Sequence, residues 1–220
     1  VQLKDARVKI ITPNNGLPEN TVYAVLQDHE GSLWIGMRNS GLCQMRDNRV
    51  VEIIGSKSGL SSERIRVLFE DSGHGLWIGT EGGGINILRN GRLALLTTKD
   101  GLPSNTITAI LQDSTGKFWV GTDNGLARLS EGRVQVSDSL TGLKNLHIRV
   151  LLESREGVLY AGTKEGLFKF TGQSFERVDA EDEGSGIDVV SLYEDSEGVL
   201  WIRTNGNGLK RWLKGKMTSF

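Results

Sequence analysis

The chain has 220 residues, 37% of them hydrophobic and 24% charged, with a formal net charge of −1. That is long enough for a sizeable core and too apolar for a disordered chain, and the balanced charge excludes a nucleic-acid binder working by bulk positive charge. Glycine is abundant at 29 residues against 3 prolines, which points to tight turns rather than linkers, and the lone Cys43 reads as a small buried hydrophobe. No apolar run approaches the ~20 residues of a membrane-spanning helix, and Val1 in place of an initiator Met reads as the start of a processed or trimmed piece.

In chain order, Ala6–Ile11 (ARVKII) reads first, as an outer strand. A repeat then begins and recurs five times, anchored at Trp34, Trp77, Trp119, Tyr160 and Trp201, with separations of 43, 42, 41 and 41. Each copy opens with Gly-Leu or Gly-Ile, at Gly16, Gly59, Gly101, Gly142 and Gly186. A seven-residue run follows: VYAVLQD, IRVLFED, ITAILQD, IRVLLES and VVSLYED. After a Gly-containing turn comes an aromatic run (LWIGM, LWIGT, FWVGT, LYAGT, LWIRT). A second Gly-rich turn leads to a third run beginning at Leu42, Ile85, Leu126, Leu167 or Leu209. A fourth run, such as Arg49–Ile53 or Arg133–Val136, closes the unit, and the last copy ends in Lys216–Phe220.

These runs are short, β-branched or aromatic, and bounded by Gly, Asn, Asp or Ser, which marks strands; no segment carries helical periodicity. Four short strands every ~42 residues, with an aromatic at a fixed place, is the period of a propeller blade. The fold expected is therefore an all-β propeller of five four-stranded blades, residues 1–220 forming a single domain, either closed or a segment of a larger, seven-bladed ring.

The frame assigns jobs to its constant residues. Asp28, Asp71, Asp113 and Asp195 precede the first turn and are placed to accept backbone N–H groups two residues on; metal binding there is the sharper alternative. Gly36, Gly79, Gly121 and Gly162 would let an adjacent sheet approach closely. Gln27, Glu70, Gln112, Glu153 and Glu194 form a polar series, read as a wet channel lining or hydrogen bonds at one face, with a cation ring as the alternative.

Asn105–Leu126 fits N-T-x-x-A-x-x-Q-D-x-x-G-x-x-W-x-G-T-x-x-G-L. That pattern, in varied form in all five copies, resembles the two-component regulator propeller repeat. The resemblance implies a periplasmic sensor region of a bacterial histidine kinase, hybrid two-component protein or diguanylate cyclase, with a β-sandwich, membrane helix and output domain following in the parent protein. Two copies depart from it: the fourth reads LYAGT with Ser154 for Asp, and in the fifth Arg203 replaces the small Gly and Asn205-Gly206-Asn207 lengthens the next turn.

No catalytic set emerges. His29, His74 and His147 lack metal-ligand spacing; His29 and His74 fall in first turns as exposed loop residues, and no nucleophile elbow, P-loop or dinucleotide fingerprint is present. Glu81-Gly82-Gly83-Gly84 joins two strands and lacks the helix of a phosphate cradle. The variable, polar positions are the loops entering the first strand and those between the second and third, the usual binding mouth. There, Tyr23, Arg38, Arg64, Arg66, Asp123, His147, Arg149, Arg203, Asn205 and Asn207 are the candidate ligand-binding residues. An axial group of Arg and Tyr suits anionic or sugar-like ligands; the competing reading pairs the arginines with local acids such as Glu63.

The sequence therefore predicts a non-catalytic extracytoplasmic sensor or recognition module with no cofactor and no metal. The expected partner is an unknown small molecule or glycan-like ligand, with possible self-association. No nucleic-acid partner is expected, and membrane attachment would come only through missing parts of the parent. The alternatives are a metal-assisted lyase on a similar propeller, of the virginiamycin-lyase type, and a protein-interaction scaffold.

Overall fold

The computed structural model describes residues 10–13, 16–130, 133–135, 142–178, 186–213 and 215–219. They form five four-stranded antiparallel sheets, each a meander of consecutive strands. Blade 1 comprises β1 (Val22–Gln27), β2 (Leu33–Met37), β3 (Leu42–Arg46) and β4 (Arg49–Ile54), and blade 2 comprises β5 (Ile65–Glu70), β6 (Leu76–Thr80), β7 (Ile85–Arg89) and β8 (Arg92–Leu96). Blade 3 is β9 (Ile107–Gln112), β10 (Phe118–Thr122), β11 (Gly125–Ser130) and β12 (Arg133–Gln135). Blade 4 is β13 (Ile148–Glu153), β14 (Leu159–Thr163), β15 (Leu167–Phe170) and β16 (Phe175–Arg177), and blade 5 is β17 (Val189–Glu194), β18 (Leu200–Thr204), β19 (Leu209–Leu213) and β20 (Lys216–Ser219). The blade count and strand composition read from the sequence hold. Of the expected outer strand Ala6–Ile11, the stretch Ala6–Lys9 lies outside the described residues, as does Val136, and Ile10 and Ile11 are not in a strand.

The core lies between blades rather than within one, because a single sheet has two apolar faces and nothing of its own to cover them. Four clusters each span one junction. Trp34, Leu42 and Ile54 of blade 1 pack on Ile65 and Ile78 of blade 2; Trp77 and Ile85 pack on Ile107 and Val120. Trp119 and Leu126 pack on Ile148 and Ala161, and Leu167 packs on Val189 and Ile202. Cys43 is fully buried beside Ile35, Met37 and Met45, the hydrophobic role expected of it.

The close approach at each junction is a branched side chain pressed onto a glycine. A Cβ built on Gly36 would lie 2.5 Å from Ile65 Cγ2; on Gly79, 2.8 Å from Ile107 Cγ2; on Gly121, 2.7 Å from Ile148 Cγ2; and on Gly162, 2.5 Å from Val189 Cγ1. Ile65, Ile107, Ile148 and Val189 are accordingly 0% exposed. Val22 holds the same place in blade 1 and is 37% exposed. Blade 5 carries Arg203 where the glycine would be, and that residue is exposed. Leu209 at 41% exposure and Tyr193 at 65% lie on the same blade. The junction seen four times is thus not repeated between blade 5 and blade 1.

Candidate functional site

The two ends of the sheets are built differently. At the end carrying the β1–β2 type of turn, side chains hold the backbone. Asp28 Oδ1 accepts from the N–H groups of Glu30 (3.0 Å) and Ser32 (2.7 Å), and its Oδ2 accepts from Trp34 Nε1 at 2.8 Å. Asp71 and Trp77 repeat this at 2.7 Å, Asp113 and Trp119 at 2.8 Å, and Asp195 and Trp201 at 2.8 Å. Burial pulls the Asp28, Asp71 and Asp113 carboxyls upward. The tryptophan and neighbouring side-chain and backbone donors outweigh it, so all three end below the ordinary carboxylate value; the Trp201 bond leads in lowering Asp195. With their oxygens committed to these donors, the aspartates are structural. In blade 4 both partners change together: Ser154 Oγ accepts from Val158 N at 3.1 Å, and Tyr160 packs in the same cluster as Trp212.

The Gln/Glu series ties each blade to the one before it. Glu70 Oε2 accepts from His29 N at 2.9 Å, Gln112 Oε1 from Ser72 N at 3.0 Å, Glu153 Oε2 from Ser114 N at 2.7 Å, and Glu194 Oε2 from Arg155 N at 2.8 Å. These residues are latches across the blade junctions, which bears out the reading of hydrogen bonds at one face.

At the opposite end the blades are held chiefly by backbone, helped by Thr80, Thr122, Thr163 and Thr204, whose Oγ1 donates to the carbonyl of the glycine that leads into the third strand. The residue after the second strand donates its N–H to the carbonyl of the residue just before or at the start of the first strand in every copy. These pairs are Arg38 to Thr21 (3.1 Å), Glu81 to Arg64 (2.9 Å), Asp123 to Thr106 (3.2 Å), Lys164 to His147 (3.4 Å) and Asn205 to Asp188 (2.8 Å). The two variable loops of each blade are thereby drawn together at one end of the array, where the sequence places the binding mouth.

Two groups of candidate residues assemble there. In the first, the Arg66 guanidinium lies over the Tyr23 ring, 5.3 Å from its centroid, and Arg66 and Arg64 both reach Glu81, at 2.8 and 3.1 Å. In the second, Arg149 Nη2 donates to Asp188 Oδ2 at 2.8 Å, while Nε sits 2.7 Å from Oδ1 without good hydrogen-bond alignment; Asn205 Nδ2 donates to Asp188 Oδ2 at 3.1 Å. Burial pulls the His147 imidazole below its ordinary value, helped by Lys164 and Arg149 and opposed by Asp123 and Asp188. That balance favours the neutral form of His147. Arg38, Arg203 and Asn207 are exposed and join neither group.

The arginines do pair with acids, but not with Glu63. That carboxylate instead accepts from Ser56 Oγ at 2.8 Å, which lowers it below its usual range. The acids that matter are Glu81 and Asp188. Asp188 has a sequence signal: it occupies the repeat position of Arg64 and His147, immediately before the first strand, where charge varies from copy to copy.

A pocket of about 460 Å³ lies at the other end, between blades 1 and 2, lined among others by His29, Glu70, His74, Arg46 and Arg89. His29 and His74, read as unrelated exposed loop residues, are exposed but meet there: their rings stack with centroids 3.6 Å apart.

The fold and its junctions define an antiparallel propeller-type array whose constant residues serve the frame. A family model described as two component regulator propeller matches residues 16–39, 59–82, 101–124 and 183–206, and the chain carries the repeats of that family. The copy around Tyr160, which lacks the Asp–Trp pair, is outside the matched segments. No curated protein matches. Among solved structures, the chain is similar to the extracellular domain of a protein described as a one component system from B. thetaiotaomicron, with TM-score 0.74, 23% identity, 93% of this chain and 28% of that one. It is also similar to the extracellular domain of a hybrid two component system from the same organism, with TM-score 0.53, 21% identity, 94% and 35%. A third is a catalytically inactive virginiamycin B lyase from Staphylococcus aureus with quinupristin, at TM-score 0.69, 15% identity, 91% and 69%. The chain thus spans about a third of each of those two extracellular domains, or less. Among the described residues no helix is long and apolar enough to cross a membrane.

Proposed function

We propose that this chain is a non-catalytic, extracytoplasmic recognition module of a bacterial signal-transduction receptor, and that its loop end binds a small anionic or sugar-like ligand. The observation that carries this reading is the pair of groups around Arg66 and Arg149, built from the repeat's most variable positions on a constant backbone frame. Each holds a guanidinium fork beside a carboxylate that an incoming acidic group can displace, and Tyr23 adds an exposed aromatic face for a sugar ring. The family of the repeats and the fold shared with extracellular domains of signalling proteins support the sensor context. Membrane attachment and the output domain belong to the parent protein.

The test is thermal denaturation with a panel of acidic oligosaccharides, for the chain and for Arg66→Ala and Arg149→Ala. A ligand at ~100 times its Kd raises stability by about 2.7 kcal/mol, and the variants lose that gain. Equal stabilisation of both variants would overturn the placement. The fold shared with virginiamycin B lyase defines the alternative: turnover of a quinupristin-type substrate, abolished by His147→Ala, would replace recognition with catalysis.

A further inference from the structure

We infer that His29, Glu70 and His74 form a binding site for a late first-row divalent cation, zinc foremost, that fastens blade 1 to blade 2. Each residue offers one ligand atom, and the three atoms lie within 4.8 Å of one another. His29 Nδ1 contacts Glu70 Oε1 directly, and His74 Nδ1 is 3.6 Å from the same oxygen. On a tetrahedral zinc with bonds of about 2 Å, neighbouring ligand atoms stand roughly 3.3 Å apart, so the trio is near metal-binding distance; the two stacked rings must turn out of their stack for both Nδ1 lone pairs to meet one ion. Two imidazoles and one carboxylate form a donor set that suits zinc and its neighbours in the series, not magnesium or calcium, which take oxygen.

The surroundings fit a cation. Glu70 Oε2 is already fixed by His29 N, so the carboxylate is oriented from behind, as metal-binding carboxylates are. The arginines at the pocket wall are neutralised: Arg46 pairs with Glu30, and Arg89 with Asp71 at 2.5 Å. The pocket leaves the fourth coordination position open to water or a ligand.

The repeat supplies an independent observation. His74 takes the position held in the other four copies by Gly31, Gly116, Gly157 and Gly198, all at positive φ. His74 itself adopts φ +62°, a left-handed conformation that is uncommon for a residue with a side chain, though less so for histidine than for most. His29 likewise stands where the other copies have Ser72, Ser114, Arg155 and Ser196. Two departures from the frame, in neighbouring blades, converge on one latch carboxylate. Neither turn alone has metal-ligand spacing, because the set is assembled only by stacking one blade on the next.

The frame also provides variants that fold: His74→Gly and His29→Ser restore the residues used elsewhere in the repeat. The experiment is zinc titration of chelator-treated protein, read by calorimetry, bound metal per chain and Tm, with magnesium as control. The expected result is one zinc per chain and a raised Tm, with affinity weakened about tenfold or more in each variant, while His74→Gly without metal melts no lower than the parent chain. Absence of zinc binding in the parent chain, or binding unchanged in both variants, overturns the site.

Discussion

The two ends of the sheets obey opposite rules. At the turn end, side chains hold the backbone, so Asp28, Asp71, Asp113 and Asp195 recur with their tryptophans, and Glu70, Gln112, Glu153 and Glu194 recur as latches. At the loop end, backbone holds backbone in all five copies, a threonine closing the second strand bonds the loop carbonyl in four, and the remaining side chains are free to differ. Where the frame depends on side-chain chemistry the residue repeats; where it depends only on N–H and C=O, the residue can be spent on recognition. This is why Arg66, His147 and Arg149 are informative at one end and Asp113 is not at the other.

The contrast can be broken at the frame or sharpened at the loops. The largest effect is expected from Gly79→Val, whose side chain would strike Ile107 in a fully buried junction. A loss of about 3 kcal/mol in urea denaturation is expected, since neither sheet can retreat without opening the core. Next, Asp113→Ala strands the N–H groups of Thr115 and Lys117 and the Trp119 indole. About 2 kcal/mol should be lost, whereas Ser154→Ala in blade 4, which removes one bond, should lose about half as much.

Acid extends the same comparison. The Asp28, Asp71 and Asp113 carboxyls are depressed in the folded state, so they contribute stability that is present above the ordinary value of 3.8 and lost as pH falls through their lower folded values. Hydrogen exchange followed from pH 4 downward should therefore show the turn amides of Ser32, Gly75 and Lys117 losing protection ahead of Val158 in blade 4, which is held by a hydroxyl in place of a carboxylate. The smallest effect on stability is expected from Arg66→Ala. Its ion pair is exposed, so it should shift the midpoint by less than ~1 kcal/mol while removing the loop-end binding.

The frame was legible because its contacts are local and of fixed spacing. Asp and Trp lie six residues apart in four copies, and in three of these a glycine follows two residues later. The candidate site was legible only as a set of variable positions. Arg149 finds Asp188 across 39 residues, and His29 finds Glu70 across 41, because each pair meets through the stacking of successive blades. A spacing rule within one turn cannot see such pairs. Glu63 shows the converse error: it is adjacent in sequence to Arg64 but turns to Ser56.

The glycine contact between blades has a consequence for how many can be joined. A branched peg on one side and an empty notch on the other make a head-to-tail interface, and such an interface propagates without any built-in count. It stops only where a peg or a notch is spoiled. Arg203 puts a long side chain where Gly36, Gly79, Gly121 and Gly162 leave a notch, so the contact by which a branched peg presses onto bare backbone is not available on that sheet.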